Sequence, residues 1–221
     1  MNNGAFIFQE NILSTCEVER ISIIARELER EKSSVHSNGK YEDLKWFKVD
    51  LSPDMDYCRK ILNALNVENP VMLVFYYLDP GAKLHPHRDL TGASLNNRIR
   101  FHVPIITNKY VKFTVANTEM KMEPGDLWCL DTSYLHAVEN MGFESRVHIV
   151  IECNINDEIK SKLPNGLDAW MHNVSYIFIL MASFLKAVVI NSIKNPKYFK
   201  DQMIMVYRFL LWRLFGGSGK K

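Results

Sequence analysis

Residues 71–106, VMLVFYYLDPGAKLHPHRDLTGASLNNRIRFHVPII, decide the fold class of this chain. Two runs rich in β-branched and aromatic side chains, Val71–Leu78 and Arg98–Ile106, flank a segment carrying Pro, Gly and Asn. That is the punctuation expected between strands, not within a helix. Working outward, Val111–Ala116, Asp126–Leu130 and Arg146–Glu152 repeat the texture, which predicts a β sandwich or barrel whose core spans about residues 70–153. Upstream, Ile12, Leu13, Val18, Ile21, Ile24, Ala25 and Leu28 have the spacing of an amphipathic helix within 12–32, and Asp56–Leu65 predicts a shorter one. From Leu163 onward the pattern is helical again, with dense apolar runs over 174–190 and 203–215.

The division expected is therefore a mainly β domain over residues 1–153, including its N-terminal helices, and a C-terminal helical segment over 154–221. A chain of 221 residues suits one core plus an appendage. With 47% apolar and 24% charged residues it is an ordinary globular composition, which excludes disordered and fibrous classes. Cys16, Cys58, Cys129 and Cys153 are scattered without a C-x-x-C pair, so neither a disulfide framework nor a zinc site is expected. The first twenty residues make a poor signal peptide, with Glu10 inside the early apolar stretch and no basic start. A cytoplasmic location is the expectation.

Charge is unevenly spread. The whole chain is +2, yet from Ser183 to the end eight Lys or Arg side chains face a single acidic one, Asp201. These cations are interleaved with large apolar residues and not gathered on a polar face, so no nucleic-acid partner is expected. The 174–190 run is short for a membrane span and holds Lys186, while the 203–215 run suits a membrane interface. Residues 170–215 are thus expected to cap the barrel, to form a homodimer, or to make peripheral membrane contact.

The chemistry concentrates in residues 79–89, DPGAKLHPHRD, and in residues 135–140, LHAVEN. His87 and Asp89 point to one face of extended chain, and His136 supplies a second imidazole. Two imidazoles and a carboxylate hold Fe(II) on one side and leave positions open for a bidentate co-substrate and O2. Ten residues after His136, Arg146 opens an apolar strand, where burial is costly without an anion. A dicarboxylate matches its planar fork; an internal salt bridge to Glu152 or Asp131 is the alternative. His85 reads either as part of an H-x-H pair with His87 or as a surface residue. His148 shares the Arg146 face and reads as pocket lining or as a satisfied core histidine. Trp128 reads as core.

In order and spacing, residues 80–87 PGAKLHPH, 98–104 RIRFHVP, 124–126 PGD, 131–136 DTSYLH and Arg146 resemble the catalytic domain of aspartyl/asparaginyl β-hydroxylases. The resemblance implies a double-stranded β-helix, the cupin-like jelly roll. It also implies an enzyme that uses Fe(II), 2-oxoglutarate and O2 to hydroxylate an unactivated C–H bond, releasing succinate and CO2. It places iron on His87 and His136, the distal carboxylate of 2-oxoglutarate on Arg146, and Arg100 and His102 in the co-substrate pocket. Animal members have Gly where this chain has the carboxylate Asp89, and Ser where it has Tyr76, whose phenol is expected to make the co-substrate contact in its place. An Asp at this position argues against halogenation. The substrate expected is an amino acid, a peptide, or a lipid or sugar moiety. The same motifs are similar to those of cupins that act as metal-dependent isomerases or ligand-binding modules, in which Arg146 would have no dicarboxylate to bind.

Overall fold

The computed structural model describes residues 4–31, 46–89 and 98–163, with single helical positions at 193, 200 and 204. The chain divides into two units, Met1–Ala169 and Trp170–Lys221, and all strands and helices named below lie in the first. The helices expected over 174–190 and 203–215, and the capping, dimer or membrane role expected of 170–215, lie outside the described residues apart from those single positions. No helix among the described residues is long and apolar enough to cross a membrane. The four cysteines are unpaired.

Among the described residues of the first unit, ten strands and three helices follow one another as β1 (Ala5–Gln9), α1 (Thr15–Glu31), β2 (Trp46–Asp50), α2 (Asp56–Leu65), β3 (Met72–Leu78), β4 (Lys83–His87), β5 (Arg98–Ile106), β6 (Val111–Val115), β7 (Thr118–Met120), β8 (Leu127–Leu130), β9 (His136–Asn140), β10 (Arg146–Asn154) and α3 (Asp157–Lys162). The strands build a six-stranded sheet in the order β1-β8-β5-β10-β3-β2 and a four-stranded sheet in the order β4-β9-β6-β7. All pairings are antiparallel. From β3 to β10 the chain crosses back and forth between the sheets, with β6 and β7 forming a hairpin within the smaller one; this is the winding of a double-stranded β-helix and gives the mainly β fold with flanking helices that the sequence predicts. The N-terminal region contributes more than helices: β1 and β2 extend both edges of the larger sheet.

The two faces of the larger sheet do different work. Phe75, Tyr77, Ile99, Phe101, Val103, Cys129, Ile149 and Ile151 point outward into the main core, closed by Val18, Ile21 and Ala25 of α1 and Ile61, Leu62 and Leu65 of α2. Truncating a ring such as Phe101, fully buried here, would cost about 3–5 kcal/mol. Helix α1 is started by a capping box: Ser14 N donates to Glu17 Oε2 at 2.7 Å and Glu17 N to Ser14 Oγ at 3.4 Å. Lys60 Nζ then donates to the same carboxylate at 2.8 Å and ties α2 to α1. The inner face meets the smaller sheet through a second, smaller core of Leu78, Phe113, Val115, Trp128, Leu130 and Val138. Strand alternation therefore sends Tyr76, Arg98, Arg100, His102, Arg146, His148 and Glu152 into the space between the sheets.

Candidate metal centre

The end of β4 and the start of β9 are neighbours in the smaller sheet, with His87 directly opposite His136. Their ring centroids are 4.2 Å apart, and Asp89 Oδ1 lies 3.7 Å from His87 Nε2. One ligand atom from each of His87, Asp89 and His136 falls within 4.8 Å of the others, close enough for a single ion. Local register makes this possible. The β4–β9 ladder slips between Leu84 and His87, where Pro86 has no N–H to give. The slip lets both Leu84 and His87 face the interior, while His85 stays exposed on the outside. His85 is thus no partner of His87 in a ligand pair; strict alternation, which would have kept them on one face, is broken by the bulge.

Both imidazoles are held through Nδ1 by a backbone carbonyl two residues earlier. His87 Nδ1 is 2.7 Å from the carbonyl of His85, and His136 Nδ1 is 3.0 Å from that of Tyr134. A carbonyl only accepts, so each Nδ1 carries the proton and each Nε2 keeps its lone pair. Burial holds His136 below the ordinary imidazole range, which favours the neutral, ligating form. Asp89 is fixed at both ends. Its N–H donates to the carbonyl of Thr132 at 2.9 Å, and its Oδ2 accepts from Arg100 Nη1 at 2.7 Å. Arg88 Nη1 donates to the Ser133 carbonyl at 2.7 Å, so the loop before His136 and the loop after His87 are held together by the residues between the ligands. Sequence reading passed over Arg88, Thr132 and Ser133, because their part is played by backbone atoms and by a side chain with no motif of its own.

A cavity of about 420 Å³ opens from these ligands between the sheets, lined by Trp46, Tyr76, Leu84, Phe113, Val138 and Arg146 among others. Arg146 is 3% exposed. Its Nη2 donates to His148 Nδ1 at 2.7 Å, its guanidinium carbon stands 5.7 Å from the centre of the Phe113 ring, and its Nε has no partner among the described residues. Neither alternative salt bridge forms: Glu152 is taken by Arg100 Nη2 at 2.8 Å and Arg98 Nη1 at 3.5 Å, and Asp131 Oδ1 accepts from the Ser133 amide and hydroxyl. Burial pulls Arg146 down to about 9, still charged at neutral pH. An unpaired buried cation beside a metal-type donor set fits a dicarboxylate.

The remaining expected pocket residues are placed unequally. His102 is buried and its Nδ1 lies 3.4 Å from that of His148, one step behind Arg146. Arg100 lines the cavity but spends its fork on Asp89 and Glu152. The Tyr76 hydroxyl points to Met72 Sδ at 3.5 Å, its ring packs edge-on against Trp46, and its charged neighbours are Arg100, Asp89 and Glu152, not Arg146. Trp128 is core. Asn140, the last residue of the LHAVEN stretch and given no role from the sequence, is fully buried and bridges the carbonyls of Leu78 and Glu144 at 2.9 and 2.8 Å, setting the turn into Arg146.

The family model of aspartyl/asparaginyl β-hydroxylases matches residues 11–155, from the loop before α1 to just past the end of β10. The chain belongs to that family. As a β-hydroxylase family member it also shares its fold with solved oxygenases. A prolyl-4-hydroxylase of Pseudomonas putida aligns with a TM-score of 0.53 at 14% identity, over 69% of this chain and 94% of that one. The non-haem α-ketoglutarate-dependent epimerase SnoN from nogalamycin biosynthesis aligns with a TM-score of 0.52 at 14% identity, over 67% of this chain and 76% of that one. A SnoN complex with Fe3+, α-ketoglutarate and nogalamycin RO gives a TM-score of 0.51 at 13% identity, over 68% and 79%. At these identities the likeness is one of fold, that of the 2-oxoglutarate and Fe(II) oxygenases. A comparison with curated protein sequences gives no match.

Proposed function

We propose that this β-hydroxylase family member is an Fe(II)- and 2-oxoglutarate-dependent hydroxylase. Its iron is held by His87, Asp89 and His136, and its 2-oxoglutarate is anchored by Arg146. The observation that carries the reading is Arg146: a buried guanidinium with no carboxylate partner among the described residues, facing the cavity into which both Nε2 lone pairs and Asp89 open. Bound iron would supply the chemistry, coupling the oxidation of 2-oxoglutarate by O2 to succinate and CO2 with hydroxylation of an unactivated C–H bond. The protein's own part is positioning. Arg146 fixes the distal carboxylate through charge-assisted donors, neutral His148 holds one edge of that fork, and Leu84, Phe113 and Val138 keep the cavity wall apolar. No general base is required of the side chains. The substrate is an amino acid, a peptide or a lipid or sugar moiety small enough to enter beside the co-substrate.

Titration of 2-oxoglutarate into protein loaded with Mn(II), together with measurement of slow succinate formation with Fe(II) and O2, tests the reading. Binding that is lost in Arg146→Gln and turnover that is lost in His136→Ala are expected. Wild-type protein that binds metal but neither binds nor consumes 2-oxoglutarate would place the chain with the non-redox metal-binding cupins instead.

A further inference from the structure

Four inner-face and ligand-loop residues form a row of alternating charge that ends on the metal centre. Arg98 Nη1 is 3.5 Å from Glu152 Oε1, Glu152 Oε2 is 2.8 Å from Arg100 Nη2, and Arg100 Nη1 is 2.7 Å from Asp89 Oδ2. The inner two are well shielded, with side chains 15% exposed for Arg100 and 9% for Glu152. Register explains the pairing. Arg100 of β5 and Glu152 of β10 are directly opposite in the larger sheet, while Asp89 reaches across from the smaller one.

This geometry gives each oxygen of Asp89 a separate partner. Oδ2 is taken by Arg100, and Oδ1 is the atom turned toward His87 Nε2. An Asp side chain two residues past the end of β4 has a free χ2 torsion unless something holds it; Arg100 holds it, and Glu152 fixes Arg100. We infer that Arg100 and Glu152 are positioning residues for the Asp89 ligand, so that the arginine expected in the co-substrate pocket serves the metal carboxylate in this chain. The inference rests on the iron reading above. It also explains why Arg100 and Asp89 belong together: with no carboxylate at position 89, the Nη1 donor would be released into the cavity.

Co(II) titration of the purified full chain, followed by the visible absorption of the bound ion, separates this from its rivals. Glu152→Gln keeps shape and removes the charge that fixes Arg100. It is expected to weaken Co(II) about 10-fold, at the low end of the range for residues that orient metal ligands. In an Asp89→Ala background the same substitution is expected to change nothing further, since no ligand is left to position. Arg100→Lys, which keeps the charge but loses the two-sided fork, should reproduce the weakening and guards against a Glu152 variant that fails to fold. A loss of equal size with and without Asp89 would mean a simple charge effect and overturn the inference. Unchanged Co(II) affinity with altered 2-oxoglutarate affinity would overturn it too, returning Arg100 to the co-substrate. Wild-type protein that takes up no Co(II) would instead strike the iron reading, and this inference with it.

Discussion

Arg146 Nη2 donates to His148 Nδ1 over 2.7 Å, so the imidazole meets the cation with a lone pair and carries its own proton on Nε2. His102 stands behind it, Nδ1 to Nδ1 at 3.4 Å. Burial, and then the Arg146 charge, hold both imidazoles well below 6.5.

A pH dependence of stability follows from that pair. In the unfolded chain both histidines take up a proton as pH falls below about 6.5, whereas in the folded protein they do not. The unfolded state then binds more protons, and stability falls as pH drops. The expected loss below pH 6.5 approaches about 1.4 kcal/mol per pH unit for each histidine. Urea unfolding between pH 7.5 and 5.0 measures it, and His102→Asn should flatten the slope. A slope identical to wild type would show that His102 is not held neutral.

Arg146→Met removes a buried charge that among the described residues has only one neutral partner and an aromatic face. The melting temperature is expected to hold or rise, because a desolvated, unpaired cation is a cost to the fold. Ligand stabilisation should vanish at the same time. At a hundredfold excess over Kd, 2-oxoglutarate stabilises a single-site protein by about 2.7 kcal/mol, and the variant should show none of it. A retained 2-oxoglutarate shift would remove Arg146 from the co-substrate site.

Asn140→Ala deletes the amide that donates to Leu78 O and Glu144 O and accepts from the Gly142 N–H at 3.0 Å. Two carbonyls and an amide lose their partner inside the fold, which should lower stability by about 2–3 kcal/mol in chemical denaturation. Because the same side chain shapes the turn into Arg146, 2-oxoglutarate affinity should fall while Co(II) affinity stays. Loss of both together would point to general unfolding of the barrel.

Gly125→Ala probes the Pro124-Gly125-Asp126 stretch. Gly125 has φ +88, and a Cβ there would come within 2.5 Å of the Leu13 carbonyl oxygen. Its own N–H and carbonyl bond Pro104 and Leu13, and Asp126 Oδ1 accepts from Asn11 N at 2.8 Å. The motif is a joint between the lead-in to α1 and the barrel, not part of the chemistry. A drop in stability of about 1–3 kcal/mol with unchanged metal affinity is expected, read by thermal melts and Co(II) titration.

Much of the fold was legible because burial in it follows period. Helix α2 and strand β5 fall where apolar spacing places them, Asp56–Leu65 and Arg98–Ile106. Strands β4, β7 and β9 are not among the runs read as strands, and neither are β1 and β2, which at five residues each lie at sheet edges and owe their structure to a neighbour's open ladder more than to their own composition. His85 was ambiguous for the opposite reason. Nothing local announces that Pro86 shifts the register, and only pairing with β9 decides which of His85 and His87 turns inward.

The sequence by itself offered the donor set, five of the eight strands between residues 70 and 154 and the need of Arg146 for an anion, since ligand type, alternation and the cost of burying charge are local properties. Only the tertiary structure decided how the charges pair. Among the described residues Arg146 is left without a carboxylate because Glu152, on its own strand, is held by Arg98 and Arg100. Arg100, in turn, is drawn to Asp89 across the gap between sheets. Coulomb attraction depends on distance in space, and the distances between strands distant in sequence are set only when the two sheets close on each other.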